Sequence, residues 1–178
     1  QFHDLETGQT IVSQGLKLAD VGDVHISPGN PEKTNDDISR AVAEIRRRAF
    51  PLVFGGDHSI TYGAFRGCVQ ALPDDQKPVG ILHFDGHPDV EKSYLTLPRV
   101  WHGNPFRVLM GEGYLDGKNM VTIGPRGLIP QRWMDYIHEQ GVTLFSTPEI
   151  RRQGLSNVIQ KAITHLRERC AAVYVSFD

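Results

Sequence analysis

Cysteine is scarce in this 178-residue chain, in which Cys68 and Cys170 are the only two. Two cysteines make neither a disulfide framework nor the paired spacing of a zinc finger, so we expect a reducing, cytoplasmic setting. The sequence also lacks an apolar run long enough to cross a bilayer. Its formal net charge of −2 gives no field that attracts nucleic acid or a membrane surface. We therefore expect neither as a partner.

Segments typical of strands and of helices alternate along the chain. The predicted strands are 16–21, 51–54, 79–82, 119–123, 142–145 and 171–177. The predicted helices begin at Thr34 or Asn35, near Ile60, near Gln131 and near Leu155. This alternation favours an α/β fold in which helices cover both faces of a mostly parallel sheet. Ligands of such sheets bind beyond the carboxyl ends of the strands.

The most informative stretch follows the predicted strand 79–82 and contains four types of side chain that bind metals. In an extended chain side chains alternate between the two faces, so these four point the same way: His83, Asp85, His87 and Asp89. Carboxylates this close raise one another's pKa unless a cation lies between them. The mixture of nitrogen and oxygen donors suits Mn, Fe, Ni or Zn. The alternative, a polar loop with solvated charges, is disfavoured by the strict alternation.

Two further candidate ligands lie at the ends of other predicted strands. Two glycines allow a sharp turn after the strand 51–54 and leave His58 at its carboxyl end. A lone histidine there is more often a capping or core residue, but beside the stretch 83–89 we interpret it as a ligand. Asp178 follows the last predicted strand. These positions predict one shared site at one edge of the sheet.

Four motifs occur in the order found in the ureohydrolases, the family of arginase and agmatinase. They are GGDHS at 55–59, DGHPD at 85–89, HGNPF at 102–106 and SFD at 176–178. The resemblance spans roughly residues 16–178. It implies a three-layer α/β/α, arginase-like fold with a mostly parallel sheet. We expect residues 1–178 to form a single ureohydrolase domain that is incomplete at both ends.

The resemblance also implies a site for two divalent metal ions, most often Mn²⁺ and in some members Ni²⁺. By position in these motifs, the resemblance implies that the ligands of one metal ion are His58, Asp85, Asp89 and Asp178. It implies that the ligands of the other ion are Asp85, His87 and Asp178, so that Asp85 and Asp178 bridge the two ions. The family pattern does not include a ligand at position 83, and it therefore removes His83 from the predicted ligand set.

The activity implied by the resemblance is release of urea from a small guanidino compound. In the mechanism that the resemblance implies, two metal ions would share a water and present it as hydroxide, which would attack the guanidinium carbon. Asp89 would orient this hydroxide, and His102 resembles the family's proton shuttle to the leaving amine. A purely structural His102 in its Gly-Pro loop is the alternative. Family members are commonly trimers or hexamers, so we expect a homo-oligomer.

Two departures from the arginase pattern bear on the site and its substrate. Gly86 and Pro88 replace the usual Ala and Thr, and Pro88 predicts a reshaped loop around Asp89. Glu91 replaces an Asn that helps to hold the amino-acid carboxylate of arginine. A negative side chain there repels a carboxylate and favours agmatine, a substrate of polyamine metabolism.

Two other functions stay open, and a nucleotide-binding site is disfavoured. A formimidoylglutamase-type hydrolase uses the same metals on an acidic substrate. The other is a non-catalytic structural or regulatory homologue. The family's second Asp, which belongs two residues beyond position 178 and is missing from this sequence, favours it. The residues that argue against it are His58, Asp85, His87, Asp89 and His102. The glycines at 55 and 56 lack the G-x-G-x-x-G spacing of a nucleotide-binding turn.

Overall fold

The computed structural model of the chain describes residues 3–10, 17–94 and 98–178. Within these ranges no helix has the length and apolarity needed to cross a membrane. Six strands and six α-helices within these ranges are numbered here in chain order. The strands are β1 (His3–Asp4), β2 (Gln9–Thr10), β3 (Val79–Phe84), β4 (Met120–Ile123), β5 (Thr143–Phe145) and β6 (Ala172–Phe177). The helices are α1 (Pro31–Arg46), α2 (Ile60–Ala71), α3 (Pro105–Gly111), α4 (Gln131–Gln140), α5 (Thr147–Gln153) and α6 (Leu155–Arg167).

A four-stranded sheet in the order β5-β4-β3-β6 forms the centre of the structure, and all of its pairs are parallel. Strand β3 is buried along its length because it has a strand on each side and helices on both faces. Its alternate side chains enter two different cores. Ile81 packs on one face with α2 and α3, whereas Leu82 packs on the other with α6.

The helices form the two outer layers of a three-layer α/β/α arrangement. Apolar side chains of α2, α3 and α4 share the core of one face with Ile81 and Met120. Val158, Ala162 and Leu166 of α6 share the core of the other face. Helix α1 packs on α2. The fold class expected from the sequence is confirmed.

Helix α1 begins before the predicted caps Thr34 and Asn35. Asn30 caps it, because its Oδ1 accepts a hydrogen bond from the Lys33 N–H at 3.0 Å. Pro31 occupies the first turn, where its missing N–H has no intrahelical partner to lose. Asn35 is instead buried and accepts a hydrogen bond from the Gly63 N–H of α2 at 3.2 Å.

Two of the predicted strands are wrong. Residues 51–54 form no strand, and Leu52 and Phe54 are exposed. Residues 17–30 likewise contain no strand, while Leu16 lies outside the described residues. Apolar composition suits a strand, but a strand also needs a neighbour for its backbone N–H and C=O groups. The predicted strands 79–82, 119–123, 142–145 and 171–177 correspond to β3–β6, whereas helices α3 and α5 had no counterpart in the prediction.

Candidate metal centre

The stretch that follows β3 leaves the sheet at its carboxyl edge and turns back on itself. The Asp85 N–H still donates to the Ile123 carbonyl of β4 at 3.1 Å, so the sheet fixes the start of the turn. The Asp85 carboxylate then accepts a hydrogen bond from the His87 N–H at 2.8 Å. Asp89 has a φ of +49°, a left-handed conformation that aspartate tolerates better than most residues. This turn brings Asp89 back towards Asp85.

His58 lies at the centre of the carboxylates that the sequence singled out. Its Nδ1 is 2.5 Å from Asp89 Oδ2, 3.6 Å from Asp85 Oδ2 and 3.9 Å from Asp178 Oδ2. Its Nε2 lies 2.7 Å from the Ser176 hydroxyl. Because a carboxylate only accepts hydrogen bonds, Nδ1 donates to Asp89 and Nε2 accepts from Ser176 in this structure. Loss of the Nδ1 proton would free that nitrogen as a metal ligand, with Nε2 then donating to the Ser176 hydroxyl.

The predicted ligands are brought together to different extents. Donor atoms of His58, His83, Asp85 and Asp89 all lie within 4.8 Å of one another. Asp178 reaches this group by its contact with His58, although its side chain is 55% exposed. His87 has Nδ1 3.4 Å from Asp85 Oδ1, but its ring is 73% exposed. His83, which the family resemblance removed from the ligand set, therefore lies inside the group.

The charge of this group fits a cation. Within the described ranges, the ion-pair partners of Asp85, Asp89 and Asp178 are histidines rather than lysine or arginine. Burial of carboxylates without a cationic partner is unfavourable unless a metal ion or protons balance them. Imidazole nitrogen and carboxylate oxygen are donors that Mn²⁺, Fe²⁺, Ni²⁺ and Zn²⁺ all accept. The donor atoms and the charge of this group therefore suit a divalent metal ion.

Hydrogen bonds set the protonation of Asp85 and His83. Burial raises the pKa of Asp85, but bonds from His83 and from the His87 N–H outweigh it and hold the pKa below its ordinary value. Burial lowers the pKa of His83, which is fully enclosed. At neutral pH the pair is therefore a carboxylate beside a neutral imidazole.

The loop that carries His102 is tied to the segment after Asp89. The Glu91 N–H donates to the Gly103 carbonyl at 2.9 Å, and Arg107 donates to the Val90 carbonyl at 3.1 Å. The His102 ring is exposed and packs edge-on against Trp101, with 4.7 Å between the ring centres. This arrangement leaves the imidazole open to solvent.

Glu91, which replaces the Asn of the arginase pattern, is paired rather than a free charge. It is buried, and its Oε2 accepts a hydrogen bond from Arg132 at 2.9 Å. Its Oε1 accepts from the Lys92 N–H at 2.8 Å and from the Tyr94 hydroxyl at 3.3 Å. Burial raises the pKa of Glu91, but the Arg132 and Lys92 bonds outweigh it and keep the pKa below its usual value. Glu91 therefore stays ionised and paired with Arg132.

Residues outside the sequence prediction complete the surroundings of the ligands. Ser176 and Thr122 contact His58 and His83 through their hydroxyl groups. Ser176 is part of the SFD motif, but only the pairing of β3 with β6 shows that it lies beside His83. Thr122 is placed by the pairing of β3 with β4. Neither contact has a local sequence signal.

Two curated relatives of this chain are named as a guanidino acid hydrolase and an agmatinase. The human mitochondrial guanidino acid hydrolase is 34% identical over 170 residues, which cover 93% of this chain and 46% of that protein. The mitochondrial agmatinase of Gallus gallus is 32% identical over 169 residues, which cover 92% of this chain and 46% of that protein. The chain thus spans about half the length of these relatives.

A solved structure and a family model agree with these relatives. The crystal structure of formimidoylglutamase from Bacillus subtilis superposes with a TM-score of 0.88 at 24% identity, over 99% of this chain and 54% of that one. At that identity the likeness concerns the fold. The model of the Arginase family matches residues 2–178. This chain belongs to the arginase family.

Proposed function

We propose that the protein is a metal-dependent amidinohydrolase that releases urea from a guanidino compound such as agmatine. The observation that carries this proposal is the buried convergence of His58, Asp85 and Asp89 at the carboxyl edge of a parallel sheet. The names of the two curated relatives support the same class of hydrolysis at a guanidino C–N bond.

The proposed ligands of two divalent ions, Mn²⁺ or Ni²⁺, are those that the family pattern supplies: His58, Asp85, His87, Asp89 and Asp178. When bound, such ions would lower the pKa of a water molecule at the site. Asp89 orients that water, since its carboxylate accepts hydrogen bonds and lies in the group of donor atoms. His102 transfers a proton to the leaving amine, because an imidazole can both accept and release a proton and this ring is open to solvent.

The Glu91–Arg132 pair supports a second candidate substrate class. A free Glu91 repels substrate carboxylates, but here its charge is paired. Arg132 is 58% exposed and adds a positive group beside it. This pairing removes the repulsion expected from Glu91 alone, so an acidic substrate such as formimidoylglutamate is the second candidate. The non-catalytic alternative predicts weak metal binding and no turnover.

Three further expectations belong to this proposal. The site takes a small molecule, and the assembled protein is a homo-oligomer, a trimer or a hexamer as in the family. A cytoplasmic location follows from Cys68 and Cys170, which are both free, whereas the two curated relatives are mitochondrial by name. Fractionation of the cells that produce the protein distinguishes the two compartments.

The decisive experiment is product release after loading with Mn²⁺. We expect urea from agmatine, guanidinobutyrate or arginine, or glutamate from formimidoylglutamate, and the productive substrate identifies the class. Asp85→Asn keeps the shape of the side chain but removes its charge, so it should abolish turnover. Asp75→Asn, at an exposed position, is the matched control. Absence of product from all four substrates, or full activity of Asp85→Asn, contradicts the proposal.

A further inference from the structure

Three polar side chains lie side by side across the sheet, next to the candidate metal centre. The register of β3 pairs His83 with Thr122 of β4 on one side and with Ser176 of β6 on the other. His83 is fully buried, and Thr122 and Ser176 are 1% and 5% exposed. We call these three residues the polar row. Buried polar groups need hydrogen-bond partners, so the partners of the row indicate its role.

Both ring nitrogens of His83 are already used within the protein. Nε2 lies 3.1 Å from Asp85 Oδ2, and Nδ1 lies 3.3 Å from the Thr122 hydroxyl. An ionised carboxylate only accepts hydrogen bonds, so Nε2 carries the proton and Nδ1 accepts from Thr122. His83 therefore presents no free lone pair to a metal ion, although it lies inside the group of donor atoms.

The partners of His83 leave it little freedom to turn. Its ring centre lies 4.5 Å from that of Phe106 and 5.0 Å from that of His58, with which it stacks. Asp85 is bonded at both oxygens, since Oδ1 accepts from the His87 N–H while Oδ2 accepts from His83. These two bonds fix the plane of the carboxylate before any metal ion binds.

We propose that His83 is a positioning residue of the metal centre, which orients the Asp85 carboxylate while Thr122 holds the imidazole in place. Ser176 does the same for His58 through the 2.7 Å contact at Nε2. This inference rests on the proposed function, because it takes Asp85 and His58 as metal ligands. Removing an outer partner of a metal ligand typically weakens metal binding by about 10- to 100-fold.

The test measures binding of Mn²⁺ alone to the purified 178-residue chain by isothermal titration calorimetry. His83→Leu removes the donor, and we expect its affinity to fall by about 10- to 100-fold. His83→Gln keeps an N–H donor and should retain most of the affinity. Thr122→Val preserves shape but releases His83 Nδ1, so an intermediate loss is expected. His165→Leu on α6, across the sheet, is the matched control and should bind Mn²⁺ like the wild type.

The outcomes distinguish a role of His83 in orienting Asp85 from a role in filling space within the core. Wild-type affinity in His83→Leu, or equal losses in His83→Leu and His83→Gln, overturns the inference. Circular dichroism and thermal unfolding without metal show whether each variant folds, and if His83→Leu does not, Thr122→Val decides. Binding of Mn²⁺ that depends on His83, in a protein that releases no product, refutes the proposed function and leaves the inference intact. No binding by the wild type refutes both.

Discussion

Glu149 is a carboxylate whose role is independent of the metal centre. It lies in the first turn of α5, and its Oε2 accepts hydrogen bonds from the Ser146 N–H at 2.8 Å and from the Ser146 hydroxyl at 2.9 Å. These bonds lower the pKa of Glu149 below its ordinary value of 4.5. Glu149 therefore contributes stability that is fully present above the unfolded pKa and is lost as the pH falls through the folded one.

Replacement of Glu149 by Gln should lower the free energy of unfolding at neutral pH by about 0.5–1.5 kcal/mol, because a charge-assisted bond becomes a neutral one. Upon acidification the wild-type carboxyl is protonated and resembles the amide, so the difference should shrink as the pH falls below 4.5 and vanish below the lower folded-state pKa. Urea denaturation at a series of pH values measures the difference. Glu168→Gln, at an exposed position, is the control. A difference that stays constant with pH contradicts this account.

At the same scale, the sequence predicts which residues come together at the candidate site better than it predicts their contacts. His58, Asp85 and Asp89 were expected to converge, and the structure brings them together. Alternation along an extended chain also predicted His87 on the same side as Asp85. Its ring is exposed because β3 ends at Phe84 and the chain then turns. Periodicity applies only while the strand continues.

At the scale of elements, glycines set the distance between α1 and α2. A Cβ at Gly63 would lie 2.6 Å from the backbone carbonyl oxygen of Asn35, and one at Gly67 would meet that of Ser39. Gly63 and Gly67 are four residues apart on α2, as Asn35 and Ser39 are on α1, so one row of each helix faces the other. The close approach also lets the Gly63 N–H donate to the Asn35 side chain.

A methyl group at Gly63 should push the two helices apart. We expect Gly63→Ala to lower the free energy of unfolding by about 1–3 kcal/mol, as overpacking of a core does. Gly111→Ala is a matched control, since it is helical and nothing lies within 4 Å of its added Cβ. That variant should be unchanged or slightly stabilised. Equal stability of Gly63→Ala and the wild type, in urea denaturation, contradicts the packing account.

Local sequence patterns do not show which segments pair with each other in a sheet. The segments 79–82 and 51–54 look alike in composition, yet only the first one is a strand. The first lies between β4 and β6, which satisfy its backbone on both sides, and the second pairs with no strand in the described part of the chain. The polar row shows the same limit, because Thr122, His83 and Ser176 become neighbours only through strand register.

At the scale of the whole molecule, apolar side chains remain exposed along one edge of the sheet. Strand β6 is at the end of the strand order, and on its face shared with α6 Val173, Val175 and Phe177 are 40%, 59% and 84% exposed. An edge strand with exposed apolar side chains and unpaired backbone groups promotes association with other chains. The 178-residue chain should therefore associate as its concentration rises.

Val175→Lys places a charge at the middle of this edge and should suppress that association, because a lysine on an edge strand resists pairing with another chain. Sedimentation velocity over a range of protein concentrations measures the effect. Leu128→Lys is the matched control, since Leu128 is fully exposed in the turn after β4. We expect that control to associate like the wild type. A wild type that stays monomeric contradicts the prediction, and association that survives Val175→Lys assigns the contact to a surface other than β6.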